Sequence, residues 1–316
     1  MLKLNFETIT PLHIANGNNL TNGLDYIIED GFLAKLKLSK ATKLFADNGV
    51  FNFTRNYTYK NVAKTIMDNS NILTDECFEY VIDSDQLFIE LVNNPRAEGQ
   101  KIAQEFINSN GNFYIPGSSV KGALTTILNR DLEVDPLGIN PKKARIKDKF
   151  VISDSEYLSA DDFMILCTDQ RPPAINLICL LGGVNFTLNI RKQGNLKIDE
   201  LRTKLKKYST EQIELALKNI SGFRNGKDRI NGADKLYEAL ELIKYTQLAD
   251  QEYLVNIGFG GGSWFKIEKG KVPLFKSKSP NRARKGKLEP AHTSFMFSDE
   301  NEVLQIGWCK LQIEEI

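Results

Sequence analysis

Two stretches of the 316-residue chain carry residue types able to grip a phosphodiester. In the first, Ile115, Pro116, Gly117, Ser118, Ser119, Val120, Lys121 and Gly122 place a turn, two hydroxyls and one ammonium at the opening of an apolar run that continues to Leu128. A helix starting there would aim free backbone amides and the positive end of its dipole at an anion, with Lys121 as the point charge. The same residues also describe an ordinary strand-to-helix turn with capping serines. A P-loop is excluded, because Gly117 and Gly122 are correctly separated but Ala123 stands where the lysine must be. In the second stretch, Gly258, Phe259, Gly260, Gly261, Gly262, Ser263 and Trp264 let one backbone approach another without Cβ interference, while Phe259 and Trp264 offer faces for stacking on bases. No helix follows at once and Glu268 is too close to serve as the ribose-binding acid, so a dinucleotide fingerprint does not fit. The bland alternative is a turn flanked by buried aromatics.

Just beyond these glycines, residues 266–287 hold nine basic side chains, among them Lys266, Arg282, Arg284 and Lys285, against the single acid Glu268. That run suits phosphate contact, although the whole chain balances 41 basic against 40 acidic residues. The two histidines are His13 and His292. His13, after Thr10, Pro11 and Leu12, is read as an RNA-binding or structural side chain; as a general base it would need a pKa near neutrality. No H-E-x-x-H, G-x-S-x-G or zinc-deaminase signature occurs, which leaves hydrolase and deaminase chemistry without a basis. Asp25, Asp30, Asp154, Asp161 and Asp162 are scattered and read as turn and cap residues. Cys77, Cys167, Cys179 and Cys309 form no C-x-x-C pair and read as small buried side chains, so neither a disulfide framework nor a metal site is indicated, and no cofactor is expected.

The elements that must position these residues alternate between strand and helix. Residues 2–10 read as a strand, residues 16–23 as a polar Asn/Gly stretch, and Tyr26, Ile27 and Ile28 as a second strand. Asp30 and Gly31 signal a hairpin into a third strand over residues 32–38, after which Ser39 could cap a helix. Residues 59–108 carry mixed spacing and many charges, and read as helices in an insertion of about residues 40–110. Further strands are expected at 113–115, 150–153, 163–168, 177–190, 253–259 and 304–313, and helices over 198–217 and 233–245. The length exceeds the usual single core of ~100–200 residues, which suggests two domains, here 1–170 and 171–316. No run of ~18 uncharged apolar residues occurs and the mean hydropathy is −0.31, so a soluble, cytoplasmic protein with no membrane partner is expected.

Several motifs, taken in order, resemble one family: Ile9 to Gly17 around His13, Asp25 with Tyr26, Ile27 and Ile28, the stretch from Phe113 to Leu124, Val151 to Ser155, the glycine loop, and Ile306, Gly307, Trp308, Cys309 with Lys310 and Leu311. The family is the RAMP proteins of CRISPR systems, and the set is similar to the subunit that ends the backbone filament of type III-A (Csm) effector complexes at the 3′ side of the guide RNA. His13 and Ile115 are 102 positions apart, a separation that the terminal subunit tolerates and the repeated backbone subunits do not. The resemblance implies an α+β fold of two ferredoxin-like, RRM-related domains. It also implies a non-catalytic role in binding crRNA, in crRNA maturation and in antiviral defence. The partners implied are crRNA, the neighbouring RAMP backbone subunit and the small helical subunit, with host trimming nucleases as further candidates. RNA contact is expected from His13, Gly117, Ser118, Ser119, Lys121, Gly258, Gly260, Gly261, Gly262, Trp264, Lys266, Arg282, Arg284 and Lys285. Two alternatives stay open: a metal-independent RAMP endoribonuclease that processes precursor crRNA, with His13 as its base and His292 as the weaker candidate, and a scaffold that binds no RNA.

Overall fold

The structure is a computed structural model that describes residues 2–51, 58–129, 150–167, 175–193, 197–224, 233–246, 248–261, 274–276, 288–290, 296–299 and 302–316. Twelve strands build its two large sheets: Leu2–Thr8 (β1), Ala15–Thr21 (β2), Tyr26–Glu29 (β3), Phe32–Leu36 (β4), Phe78–Ser84 (β5), Ile102–Phe106 (β6), Phe150–Ile152 (β7), Phe163–Cys167 (β8), Asn176–Leu180 (β9), Asn185–Lys192 (β10), Glu252–Asn256 (β11) and Trp308–Glu315 (β12). Six α-helices lie among the described residues: Leu38–Asp47 (α1), Tyr59–Asp68 (α2), Gln86–Asn93 (α3), Gly117–Asn129 (α4), Ile198–Arg224 (α5) and Ala233–Lys244 (α6). This is the expected α+β class. None of the described helices is long and apolar enough to cross a membrane.

One sheet runs β11-β12-β1-β10-β7, every pair antiparallel. Its centre, β1, alternates buried Leu2, Leu4 and Phe6 with half-buried Lys3, Asn5 and Glu7, the period of a strand with one face on a core. Phe6 stands opposite Phe186 of β10 with the rings stacked at 4.9 Å, and Glu7 stands opposite Lys310 of β12 in a 3.1 Å ion pair. Burying each inward apolar side chain contributes roughly 2 kcal/mol. The other sheet runs β2-β6-β9-β8-β5-β4-β3, with parallel pairing only at β6/β9 and β5/β8. Its inner strand β9 is buried along its whole length. Residues of both sheets, such as Leu4, Leu188 and Leu311 from one and Phe106, Phe163 and Ile178 from the other, share one buried cluster. The rings of Phe113 and Phe163 stack at 4.1 Å within it.

Both sheets draw strands from either side of residue 170: β1 and β7 join the sheet of β10, β11 and β12, while β9 joins the sheet of β2 to β6 and β8. Two expectations are corrected. The insertion over residues 40–110 is not all helical: β5 and β6 lie within it and are inner strands of the seven-stranded sheet. The single strand expected over 177–190 is two, β9 and β10, which turn at Gly182 and Gly183 and enter different sheets.

Candidate nucleic-acid interface

The chain crosses from one sheet to the other between β1 and β2, and this crossing is stitched on several sides. Gly183 N–H donates to Thr8 O at 2.6 Å, Ile9 N–H to Trp308 O at 2.8 Å, and Gly307 N–H to Pro11 O at 2.7 Å. Leu12 exchanges two 2.8 Å backbone bonds with Leu180. His13 Nδ1 lies 2.7 Å from Ile178 O, and Phe259 N–H donates to His13 O at 2.9 Å. A glycine is required where the glycine loop arrives: Gly258 has φ +76° and a Cβ there would lie 2.3 Å from His13 O. The loop itself, Gly258–Gly261, is a short 3-10 turn after β11. Thus the stretch around His13, the turn at Gly182 and Gly183, the start of the glycine loop and the segment Ile306, Gly307 and Trp308 meet in one place.

His13 is fully buried, between the edges of Phe106 and Phe259 at 6.1 and 5.6 Å. Burial pushes its pKa down to about 4, against a smaller upward pull from the bond to Ile178 O. Among the described residues the ring's contacts are with protein: Ile178 O, Phe106 and Phe259.

A second constellation surrounds the start of α4. Gly117 packs so closely on the end of β7 that a Cβ would lie 2.3 Å from Ile152 O. Its N–H is taken: Asp154 Oδ1 accepts it at 2.8 Å, capping the helix from 37 positions away in sequence. Ile115 and Ser155 bond each other at 2.9 and 3.0 Å, so residues 113–117 and 151–158 run together. The phosphate cradle expected there already holds a carboxylate, and an anion would have to share the helix end with Asp154. Ser118 is exposed, Ser119 is half-buried, and Lys121 reaches over Phe150 with Nζ 5.5 Å from the ring centre. Tyr114, Tyr157, Asp154 and Glu156 line a groove of about 420 Å³ beside them.

Gly260 and Gly261 lie in the 3-10 turn, whereas Gly262, Trp264, Lys266, Arg282, Arg284, Lys285 and His292 lie outside the described residues. One polar cluster had no signal in the sequence. Glu105, 1% exposed, accepts from Lys35, from Tyr80 at 2.9 Å, and from Asn16 and Asn18 at 2.6 and 3.0 Å. Burial alone would raise its pKa, but the bonds from Lys35, Asn18 and Asn16 hold the carboxyl below its ordinary range. Its partners come from β2, β4 and β5, far apart in the chain, and together they pin the Asn-rich edge strand β2. Among the described residues no group of three or more His, Cys, Asp or Glu side chains is placed to hold a metal ion.

A Csm5 protein of a CRISPR system from Methanocaldococcus jannaschii is 26% identical over 98% of this chain and 81% of its own length. The crystal structure of T. onnurineus Csm5 superposes with a TM-score of 0.61 at 14% identity, covering 96% of this chain and 99% of the other. A chain from the cryo-EM structure of a Csm–crRNA–target RNA ternary complex of a type III-A CRISPR-Cas system superposes with a TM-score of 0.63 at 15% identity, covering 99% and 100%. Both show the same fold. The RAMP superfamily profile matches residues 5–266, and the chain therefore belongs to the RAMP superfamily.

Proposed function

We propose that this chain is a non-catalytic crRNA-binding subunit of a type III-A CRISPR ribonucleoprotein, capping the 3′ side of its backbone filament beside a RAMP backbone subunit and a small helical subunit. The observation that carries this reading is the likeness to a Csm5 protein along 98% of the chain. The start of α4 with Ser118, Ser119 and Lys121, and the glycine loop, are the surfaces assigned to RNA. The basic residues between 266 and 287 add charge, and contact is with phosphates more than base edges. Burial of His13 speaks against the endoribonuclease alternative, because the ring that reading chose as its base is closed off from solvent.

The test is to incubate the purified chain with repeat-containing RNA without metal, and to measure RNA affinity across a salt series. We expect affinity to fall steadily as salt rises, near-equal affinity for guides of unrelated spacer, and unchanged RNA ends. Cleavage at a defined site would move the assignment to the endoribonuclease. Spacer-dependent affinities differing by more than ~100-fold would sink backbone-directed binding.

A further inference from the structure

We infer that His13 is the positioning residue of the glycine loop: its ring, anchored on β9, fixes where Gly258–Gly261 presents its backbone to RNA. This rests on the reading that the loop contacts RNA. The loop follows β11, an edge strand whose ladder with β12 ends at Asn256 paired to Trp308. Beyond that pair, the loop meets the other sheet at His13. Phe259 N–H donates to the His13 carbonyl at 2.9 Å, the Phe259 ring stands edge-on to the imidazole at 5.6 Å, and Gly258 sits where a Cβ would be 2.3 Å from that carbonyl. A shift of His13 therefore moves the loop.

What holds His13 is equally specific. The β9/β6 register ends at Leu177 paired with Gln104, so the carbonyl of Ile178 lies past the last rung. His13 Nδ1 takes that carbonyl at 2.7 Å, one step from the Leu12/Leu180 bridge. A carbonyl only accepts, so the ring is the Nδ1–H tautomer and Nε2 carries the lone pair. Among the described residues Nε2 is buried without a partner, so one N–H donor is all that these surroundings ask of the ring. Asparagine places an N–H donor near the Nδ1 position, whereas leucine fills the space and leaves Ile178 O unmet.

The test compares the full-length wild type with His13→Asn, His13→Leu and Gly260→Glu, the last placing a repulsive charge in the loop. Affinity for a single-stranded oligouridylate RNA is measured well below each protein's melting temperature, and the tautomer is read from ¹⁵N-histidine NMR, with His292 as the only other signal. We expect His13→Asn to bind about as tightly as wild type, within roughly threefold, and His13→Leu to bind more weakly by about tenfold while still folded. Gly260→Glu should also lose affinity, and the wild-type ring should show the Nδ1–H form. If His13→Leu binds normally while Gly260→Glu does not, the loop contacts RNA but His13 does not position it, and the inference fails alone. If both bind normally, the reading of the loop as an RNA contact fails and takes the inference with it. Should His13→Leu not fold, weak binding by folded His13→Asn, or an Nε2–H wild-type ring, overturns the inference.

Discussion

At the scale of single residues, the glycines Gly117 and Gly258 and the buried His13 explain more than any exposed charge. Both glycines stand where a Cβ would lie 2.3 Å from a backbone oxygen, so each marks a place where two backbones touch. At Gly258 the sequence reads as a place where one backbone approaches another, and the approach is to His13 O; at Gly117 it reads as part of a phosphate cradle, and the close neighbour there is the end of β7. His13 carries a pH consequence of its own. Its pKa is about 4 in the folded chain against the ordinary 6.5, so the unfolded state takes up a proton more readily. The neutral ring's contribution is fully present above about pH 6.5 and is lost as pH falls through about 4. We expect stability to drop by about 2 kcal/mol from this residue alone between about pH 7.5 and 5. Urea unfolding at the two pH values checks it, because His13→Asn should show a shallower loss than wild type. Equal slopes would mean that the ring titrates normally and that its surroundings are wetter than the packing indicates.

Among the elements, α4 has the most to say about function. Its N-terminus faces one built-in anion, Asp154, and one nearby cation, Lys121. Asp154→Asn keeps an oxygen to accept the Gly117 N–H but removes a charge that repels phosphate. We therefore expect nearly unchanged melting and RNA affinity raised by a few-fold, about 1 kcal/mol. Lys121→Glu should leave melting near the wild-type value and weaken RNA binding. Filter binding alongside calorimetry tests both, and if the two substitutions leave affinity unmoved, α4 is only a structural turn. Elements of this kind were legible where the signal is local. The hairpin at Asp30 and Gly31 is present, with φ +50° and +89°, and the helix expected over 233–245 spans Ala233–Lys244. Strand β2 was not legible, because Asn16, Gly17, Asn18 and Asn19 have no apolar alternation and the strand exists through its ladder with β6 and the Glu105 cluster. Strand β5 was hidden among charged neighbours, and its parallel pairing with β8 has no local signature. Asp154 reads in the sequence as a turn or cap residue and does cap a helix, but nothing local shows that the helix it caps begins 37 positions earlier, at Gly117.

In the whole molecule, composition and length suggested two bodies in series, whereas the strands interleave. The two sheets exchange strands across residue 170 and share a core, so neither half of the chain can complete a sheet. We expect fragments 1–170 and 171–316, produced separately, to show no cooperative melt, and the intact chain to lose both sheets together in hydrogen exchange. Two separately melting fragments would restore the serial arrangement. The position of β1 also bears on how the molecule is made. Its seven residues lie between β10 and β12, and β12 begins at Trp308. Ribosomes add about 5–20 residues per second, so β1 waits roughly 15 to 60 s after emerging before its second neighbour exists. Until β10 is made neither flank of β1 is present, and from then until synthesis reaches β12 Leu2, Leu4 and Phe6 belong to a sheet with one flank missing.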